Sequence, residues 1–294
     1  DGGSTFTEVG KNLPGLPKGN LYWISRIDAS HFDPATAYVS VDGHRSDDLK
    51  PYVFVTHDYG ATFQSLTNDL PQDGNVQVVR EDPKNKELLY VGTEFGLYVS
   101  LDGGRHWEPF MNNYPTVRTD DILVHPRDND LIVASHGRSV WIADDITPLE
   151  QMTPLVRDSD VALFDMRPAI AYLNDQQHNQ HFGGEKVFVG ESAPRGAAIS
   201  YYLKSAATGD VKISIADVTG KVVRTLEGTK TAGINRVWWN LLPTPQPGRG
   251  GFGGFGRGGF AAVEPGTYMV TLEAAGKKIT KPLVVEEDRW LNER

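Results

Sequence analysis

One stretch of the chain gathers polar chemistry beside apolar strand residues: Ser135-His136-Gly137-Arg138-Ser139-Val140-Trp141. An imidazole and a guanidinium separated by one glycine offer hydrogen-bond donors and positive charge to a ligand. His136 and Arg138 are therefore candidates for contacting a ligand or partner. The alternative is a tight turn at Gly137 whose neighbours satisfy backbone carbonyls. Other polar groups carry less. The paired acids Asp47-Asp48, Asp120-Asp121 and Asp144-Asp145 point to opposite faces if they lie on strands, so they read as solvated turn carboxylates. No Asp-x-Asp-x-Asp-Gly calcium ladder is present. His178 and His181 suit a metal only on a helix, and the glutamines and asparagines around them argue for a loop. No metal site, cofactor or catalytic residue is assigned. There is no Gly-x-Ser-x-Gly elbow or phosphate loop, and Gly-Gly-Phe-Gly-Gly-Phe-Gly lacks the strand–turn–helix setting of a dinucleotide site.

Composition narrows the classes further. The 294 residues include no cysteine, which removes disulfides, thiolate zinc sites and a cysteine nucleophile together. With 38 Asp and Glu against 29 Lys and Arg, no electrostatic case exists for nucleic acid or an anionic membrane. No run approaches the ~18 apolar residues of a transmembrane helix, and residues 1–20 lack the pattern of a signal peptide.

Three segments of the chain align: Ile24-Ser25-Arg26-Ile27-Asp28 onward, Val76-Gln77-Val78-Val79-Arg80 onward, and Asp120-Asp121-Ile122-Leu123-Val124 onward. Each has an apolar strand, then Asp33-Pro34, Asp82-Pro83 or His125-Pro126, a polar turn and a second strand. The prolines lie 49 and 43 residues apart, a period that suits four-stranded propeller blades. After two of these pairs a third strand enters a shared pattern, Ser/Thr-x-Asp-x-Gly-x-x-aromatic. Thr56, Asp58, Gly60 and Phe63 form one copy, and Ser100, Asp102, Gly104 and Trp107 the other. The aspartate accepts backbone N–H bonds, the glycine takes a positive φ and the aromatic opens the next strand. Asp1, Gly3 and Phe6 repeat the end of this pattern, so the chain is expected to start inside a hairpin, with Thr5–Val9 as the outermost strand of a blade completed elsewhere.

These repeats resemble the Asp-box repeats of sialidases and of sortilin-type Vps10 propellers. The Asp-Pro turns and the stretch from Ala134 to Met152 are most similar to the last blade of bacterial sortilin-like proteins. The third copy departs from the pattern, because Ala143-Asp144-Asp145-Ile146 stands where the box would be, as suits a closing blade. The resemblance implies a propeller over residues 1–152, with His136 and Arg138 at its axial end. A sialidase would further need an arginine cluster, for which Arg26, Arg118 and Arg138 are candidates. It would also need a Tyr/Glu nucleophile, for which Tyr22 or Tyr38 could serve, and no motif fixes any of them in those roles.

Residues 153–185 read as a connector, with one short helix at Thr147–Met152 before it and a strand or edge segment within Ser159–Leu173. From Lys186 to the end, about seven short strands suggest a sandwich of immunoglobulin size. Ile215-Ala216-Asp217-Val218-Thr219-Gly220-Lys221, Gly233-Ile234-Asn235-Arg236-Val237-Trp238-Trp239 and Pro265-Gly266-Thr267-Tyr268 resemble the FlgD-type immunoglobulin-like domain, which implies a spacer, anchor or docking module. An insertion at 247–260 interleaves glycine, arginine and phenylalanine; Phe252, Phe255 and Phe260 are candidate partner contacts if it is ordered, and otherwise the insertion is a lengthened loop.

The expected fold is all-β: a partial β-propeller of about three four-stranded blades followed by an immunoglobulin-like β-sandwich. The expected function is a non-catalytic secreted module, extracellular, periplasmic or on the cell surface. Its partners would be proteins or the remaining blades of the same polypeptide. The alternative is the C-terminal part of a sialidase-like hydrolase whose catalytic residues lie in upstream blades.

Overall fold

The structure, a computed structural model, describes residues 3–19, 21–172, 193–244 and 262–289. The chain divides into two compact units, Asp1–Thr153 and Pro154–Arg294. Among the described residues no helix is long and apolar enough to cross a membrane.

The first unit is a partial β-propeller built from three consecutive antiparallel sheets. The first sheet runs β1 (Trp23–Ala29), β2 (Ala37–Gly43), β3 (Asp48–Thr56) and β4 (Gln64–Ser65). The second repeats this order with β5 (Val76–Glu81), β6 (Leu89–Thr93), β7 (Gly96–Ser100) and β8 (Glu108–Pro109). The third has three strands, β9 (Thr119–Val124), β10 (Leu131–Ser135) and β11 (Val140–Ala143), and leads into the short helix α1 (Thr147–Glu150). A fourth strand is missing there because Asp145 turns the chain with φ 54°, its amide bonds Asp130 and the next amide, that of Ile146, bonds the Asn129 carbonyl.

Side chains alternate between faces along a strand, and this stacks the sheets. On β6, Leu89 and Val91 pack with Val53 and Val55 of the first sheet, while Tyr90 packs with Ile122 and Leu131 of the third. The middle sheet is thus buried on both faces, and each fully buried aliphatic side chain contributes roughly 1.5–3 kcal/mol. On the third sheet, Leu123, Val140 and Ile142 are more than half exposed, at 54%, 57% and 58%.

Local side-chain bonds shape the turns. Asp33 Oδ1 accepts the Ala35 amide at 3.1 Å, and Asp82 Oδ1 accepts those of Lys84 and Asn85 at 2.9 and 3.0 Å. At the equivalent turn, His125 Nδ1 accepts the Asp128 amide at 3.2 Å. The turns between third and fourth strands also match one another. Thr56 Oγ1 donates to Asp58 and accepts the Gly60 amide at 2.9 Å; Ser100 Oγ donates to Asp102 and accepts the Gly104 amide at 2.8 Å. Gly60 and Gly104 have φ 85° and 84°, a region other residues resist. Thr62 closes the first turn onto Asp58, and His106 closes the second onto Asp102 at 2.7 Å.

Each such turn is also tied to the segment that precedes its own sheet. Asn68 Nδ2 donates to the Gly104 carbonyl at 2.5 Å, and Leu66 packs against Gly104. In the same manner Asn12 Nδ2 donates to the Gly60 carbonyl at 2.9 Å, and Val9 packs against Gly60. Gly3 shares the positive φ, at 85°, while Phe6 is 91% exposed and Asp1 lies outside the described residues. Thr5–Val9 form no strand: β4 and β8 pair with the strands that lead into their own turns, and no described strand stands in that relation to Thr5–Val9. Val9 meets Gly60 as Leu66, directly after β4, meets Gly104.

Arg80, on β5, joins all three sheets. Its Nη1 donates to Asp28 on β1 at 2.7 Å, and its Nη2 and Nε donate to Asp121 and to the Ile122 carbonyl on β9 at 3.0 and 2.8 Å. Arg26 on β1 reaches the same Asp121 oxygen at 2.8 Å.

The second unit begins with α2 (Pro154–Asp158) and is a two-sheet β-sandwich. Its strands are β12 (Val161–Leu163), β13 (Ala169–Ala171), β14 (Ala197–Leu203), β15 (Lys212–Ala216), β16 (Val222–Glu227), β17 (Gly233–Trp239), β18 (Gly266–Ala274) and β19 (Lys277–Glu287). One sheet runs β12-β14-β17 and the other β13-β19-β18-β15-β16, with β13 parallel to β19. Ile199 and Leu203 of one sheet and Ile213, Ile215, Val270 and Leu272 of the other share a single core. Trp239 is fully buried, donates to the Leu242 carbonyl and meets Tyr268 edge-on at 5.4 Å. Residues 153–172, read on sequence as the start of a connector, contribute β12 and β13 because Val161, Leu163 and Ala169 have a core to enter. The rest of that connector through residue 185 and the insertion with Phe252, Phe255 and Phe260 lie outside the described residues.

Two outcomes follow from these ties. Lysine cannot reproduce a fork that serves three acceptors, so Arg80→Lys is expected to lower the unfolding free energy by about 2–4 kcal/mol; urea denaturation of the full chain measures this, and a loss within error of zero contradicts it. The hydrogen bond that His106 donates to Asp102 raises the His106 pKa above its ordinary value of 6.5. Its stabilisation is therefore complete below that value and lost as pH rises through the folded-state value. His106→Thr, which copies Thr62, should lack this loss, and denaturation midpoints measured across neutrality should converge at high pH.

Candidate functional site

The first strands of the three sheets, β1, β5 and β9, lie side by side in the first unit. Each has one extra residue near its start. Ile24 pairs with Val41 and Arg26 with Ser40, which leaves Ser25 unpaired. Val76 pairs with Thr93 and Val78 with Gly92, which leaves Gln77; Thr119 pairs with Ser135 and Asp121 with Ala134, which leaves Asp120. A β-bulge bends its strand and re-aims the extra side chain. Here the three bulged residues line one cleft of about 430 Å³.

The remaining wall comes from β1, β2 and the turns. Trp23, 47% exposed, carries the Arg45 guanidinium stacked over its ring at 4.7 Å. Asp42 is 5% exposed and faces His44 Nδ1 at 2.6 Å and Gln77 Nε2 at 3.4 Å. Ser25 Oγ donates to the Val76 carbonyl at 2.8 Å and lies 2.8 Å from Ser40 Oγ, so the first bulge is stitched to the second sheet. On the far wall Arg118 Nε donates to Asp120 Oδ1 at 2.6 Å. The cleft therefore offers an aromatic face and an exposed guanidinium at Trp23 and Arg45, with fixed carboxylates and an amide at Asp42, Asp120 and Gln77. Such a set places cationic, carboxylate and amide groups beside an aromatic ring.

The sequence candidates divide between this cleft and other places. His136 stands at its edge: its amide bonds the Arg118 carbonyl at 2.8 Å and its Nδ1 lies 3.2 Å from Asp120 Oδ2. Arg138 does not line the cleft. It sits in the β10–β11 hairpin between Gly137 (φ 75°) and Ser139 (φ 64°), and its carbonyl accepts Trp141 Nε1. Of the other arginines, Arg118 lines the cleft while Arg26 is held by Asp121. Tyr22 donates to Asp48 at 2.8 Å. Tyr38 donates to Glu81 at 3.0 Å, but both are buried, at 6% and 3% exposure, and burial raises the phenol pKa well above its usual range. That pair is closed to a substrate. Residues Thr56–Phe63 and Ser100–Trp107 belong to turns between outer strands and do not line the cleft. Among the described residues no group of three or more His, Asp and Glu is placed to hold a metal; His178 and His181 lie outside them.

Ser25, Gln77, Asp42 and Trp23 escaped the sequence reading. A signal was present in Val76-Gln77-Val78-Val79, where one polar residue precedes two adjacent apolar ones and the alternation slips by one place.

No protein-family model matches the chain, and no curated protein does. Among solved structures, similarity extends to β-propeller proteins at low identity. A GH74 enzyme from Niastella koreensis is 12% identical with a TM-score of 0.35, covering 88% of this chain and 38% of the enzyme. The GH74 xyloglucanase from Xanthomonas campestris is 12% identical with a TM-score of 0.31, covering 89% and 38%. YCF48, in a structure with D1 peptide bound, is 12% identical with a TM-score of 0.29, covering 70% and 54%. The chain thus spans between about a third and about half of the length of these three proteins.

Proposed function

We propose that this chain is a non-catalytic binding module, part of a sortilin-like Asp-box propeller with an immunoglobulin-like sandwich, that engages protein partners outside the cytoplasm. The observation that carries the reading is the convergence of Ser25, Gln77 and Asp120 from three successive bulges on one cleft. Bulges at the same register in three strands aim side chains that the regular ladder would send elsewhere, and such irregularities gather where a fold presents a site. Arg45 and Trp23 at the mouth are an exposed Arg–Trp pair, the residue types that most often anchor a partner. Among the described residues β17 has a strand on one side only, which adds a sheet edge to which an extended segment can pair.

The hydrolase reading draws on Arg118 and Asp120, which place a cation and an acid in the same cleft. Among the described residues Tyr38 and Glu81 are both buried, so that reading draws its nucleophile from upstream blades.

The test uses the full chain on peptide and glycan arrays, followed by titration of the best peptide. Arg45→Ala is expected to weaken peptide binding by about tenfold or more, as loss of an anchoring arginine does, with folding unchanged. Binding confined to glycans, hydrolysis of a glycoside, or peptide binding indifferent to Arg45→Ala contradicts the proposal.

A further inference from the structure

Away from the cleft, the corner between the second and third sheets holds buried charge. Asp82 and Tyr90 are 0% exposed, and the Glu150 side chain is 6% exposed. Asp82 Oδ1 is occupied by two backbone amides, and Glu150 Oε2 accepts Asn129 Nδ2 at 3.0 Å. The other oxygens, Asp82 Oδ2 and Glu150 Oε1, and the Tyr90 hydroxyl are buried and make no hydrogen bond of ordinary geometry, although Tyr90 interacts with Asp82 at longer range. An unsatisfied buried polar group costs about 1–3 kcal/mol, and a buried charge more.

Few charges offset this. From the β5–β6 turn, Lys84 Nζ lies 3.8 Å from Glu150 Oε2 and also donates to Asn129 Oδ1. His31, in the loop after β1, favours the charged form of Asp82. Asp145, just before α1, opposes ionisation of Glu150. Burial, and then the charge of Asp82, push Glu150 up to about 7, and burial raises Asp82 as well. Burial raises Tyr90 further than either charge does, so it remains a donor.

We propose that Glu150 keeps its proton at neutral pH beside Asp82, and that this proton fastens α1 to the second sheet as a pH-sensitive lock. With the proton in place, Glu150 and Tyr90 supply two donors for the three dry oxygens. Without it only the phenol donates, and two carboxylates are left ionised in a dry corner. The strain falls on α1, because Asn85 Nδ2 bonds the Glu150 carbonyl at 2.9 Å and the Ile146 amide bonds Asn129 at 2.7 Å. The sign follows from proton linkage. The folded state keeps a proton that the unfolded chain releases near 4.5, so stability falls as pH rises from there to about 7 and is level above.

Carboxyl-carbon NMR of the full wild-type chain reads Glu150 directly. A midpoint near neutrality is expected; one below about 5, the ordinary glutamate range, overturns the proposal. A midpoint that moves when millimolar calcium is added also overturns it, since a metal ion rather than a proton would then hold the pair. Glu150→Gln keeps a donor at all pH values and should lack the wild-type fall in folding equilibrium, roughly tenfold or more across this window. Parallel wild-type and variant curves overturn the proposal, and the wild-type titration decides it even if the variant does not fold.

Discussion

One guanidinium, that of Arg80, fixes how the three sheets of the first unit stand against one another. Its fork spans Asp28 on β1 and both Asp121 and the Ile122 carbonyl on β9, and Asp28 in turn accepts the Glu81 amide. Apolar packing between the sheets is large in energy but tolerant of small rotations. The directional bonds of Arg80 are not, and they lie on the same strands as the bulges at Ser25, Gln77 and Asp120. The register that brings those residues to one cleft therefore rests on a polar clamp set within an apolar stack.

Around that clamp the unit is built by repetition. The first two sheets share the same devices: alternating apolar faces, a turn closed by Thr56 or Ser100, and an asparagine, Asn12 or Asn68, in the segment before the sheet that donates to the glycine carbonyl of that turn. Stability in such an array is close to a sum of nearest-neighbour terms. The Asp82–Glu150 corner is the exception, since it joins two sheets through titratable groups whose charge the interior does not solvate.

Much of this was legible in the sequence because the bonds are local. The Asp33, Asp82 and His125 turns accept amides two or three residues on, and Asp58 and Asp102 accept amides four residues on, so residue type at fixed spacing reveals them. What escaped is long-range. Nothing near Arg80 in sequence announces Asp28 or Asp121 as its partners. Val161 and Leu163 lie in the stretch read as holding a strand or edge segment, but a strand of three has too few positions to display a period that would show which core it joins. The cleft was half visible: His136 stands at its edge and Arg118 within it, whereas the bulged residues hid in a slipped alternation.

A fold of this kind leaves function to the site grafted on it, and the site we propose is the cleft lined by three bulged residues. Chemical-shift mapping of the full chain during titration with a peptide ligand tests this most directly. The account predicts that the amides of Ser25, Gln77 and Asp120, the Gln77 side chain and the Trp23 indole shift together. Shifts confined to the sandwich, or to the outer turns at Thr56–Phe63 and Ser100–Trp107, would contradict it.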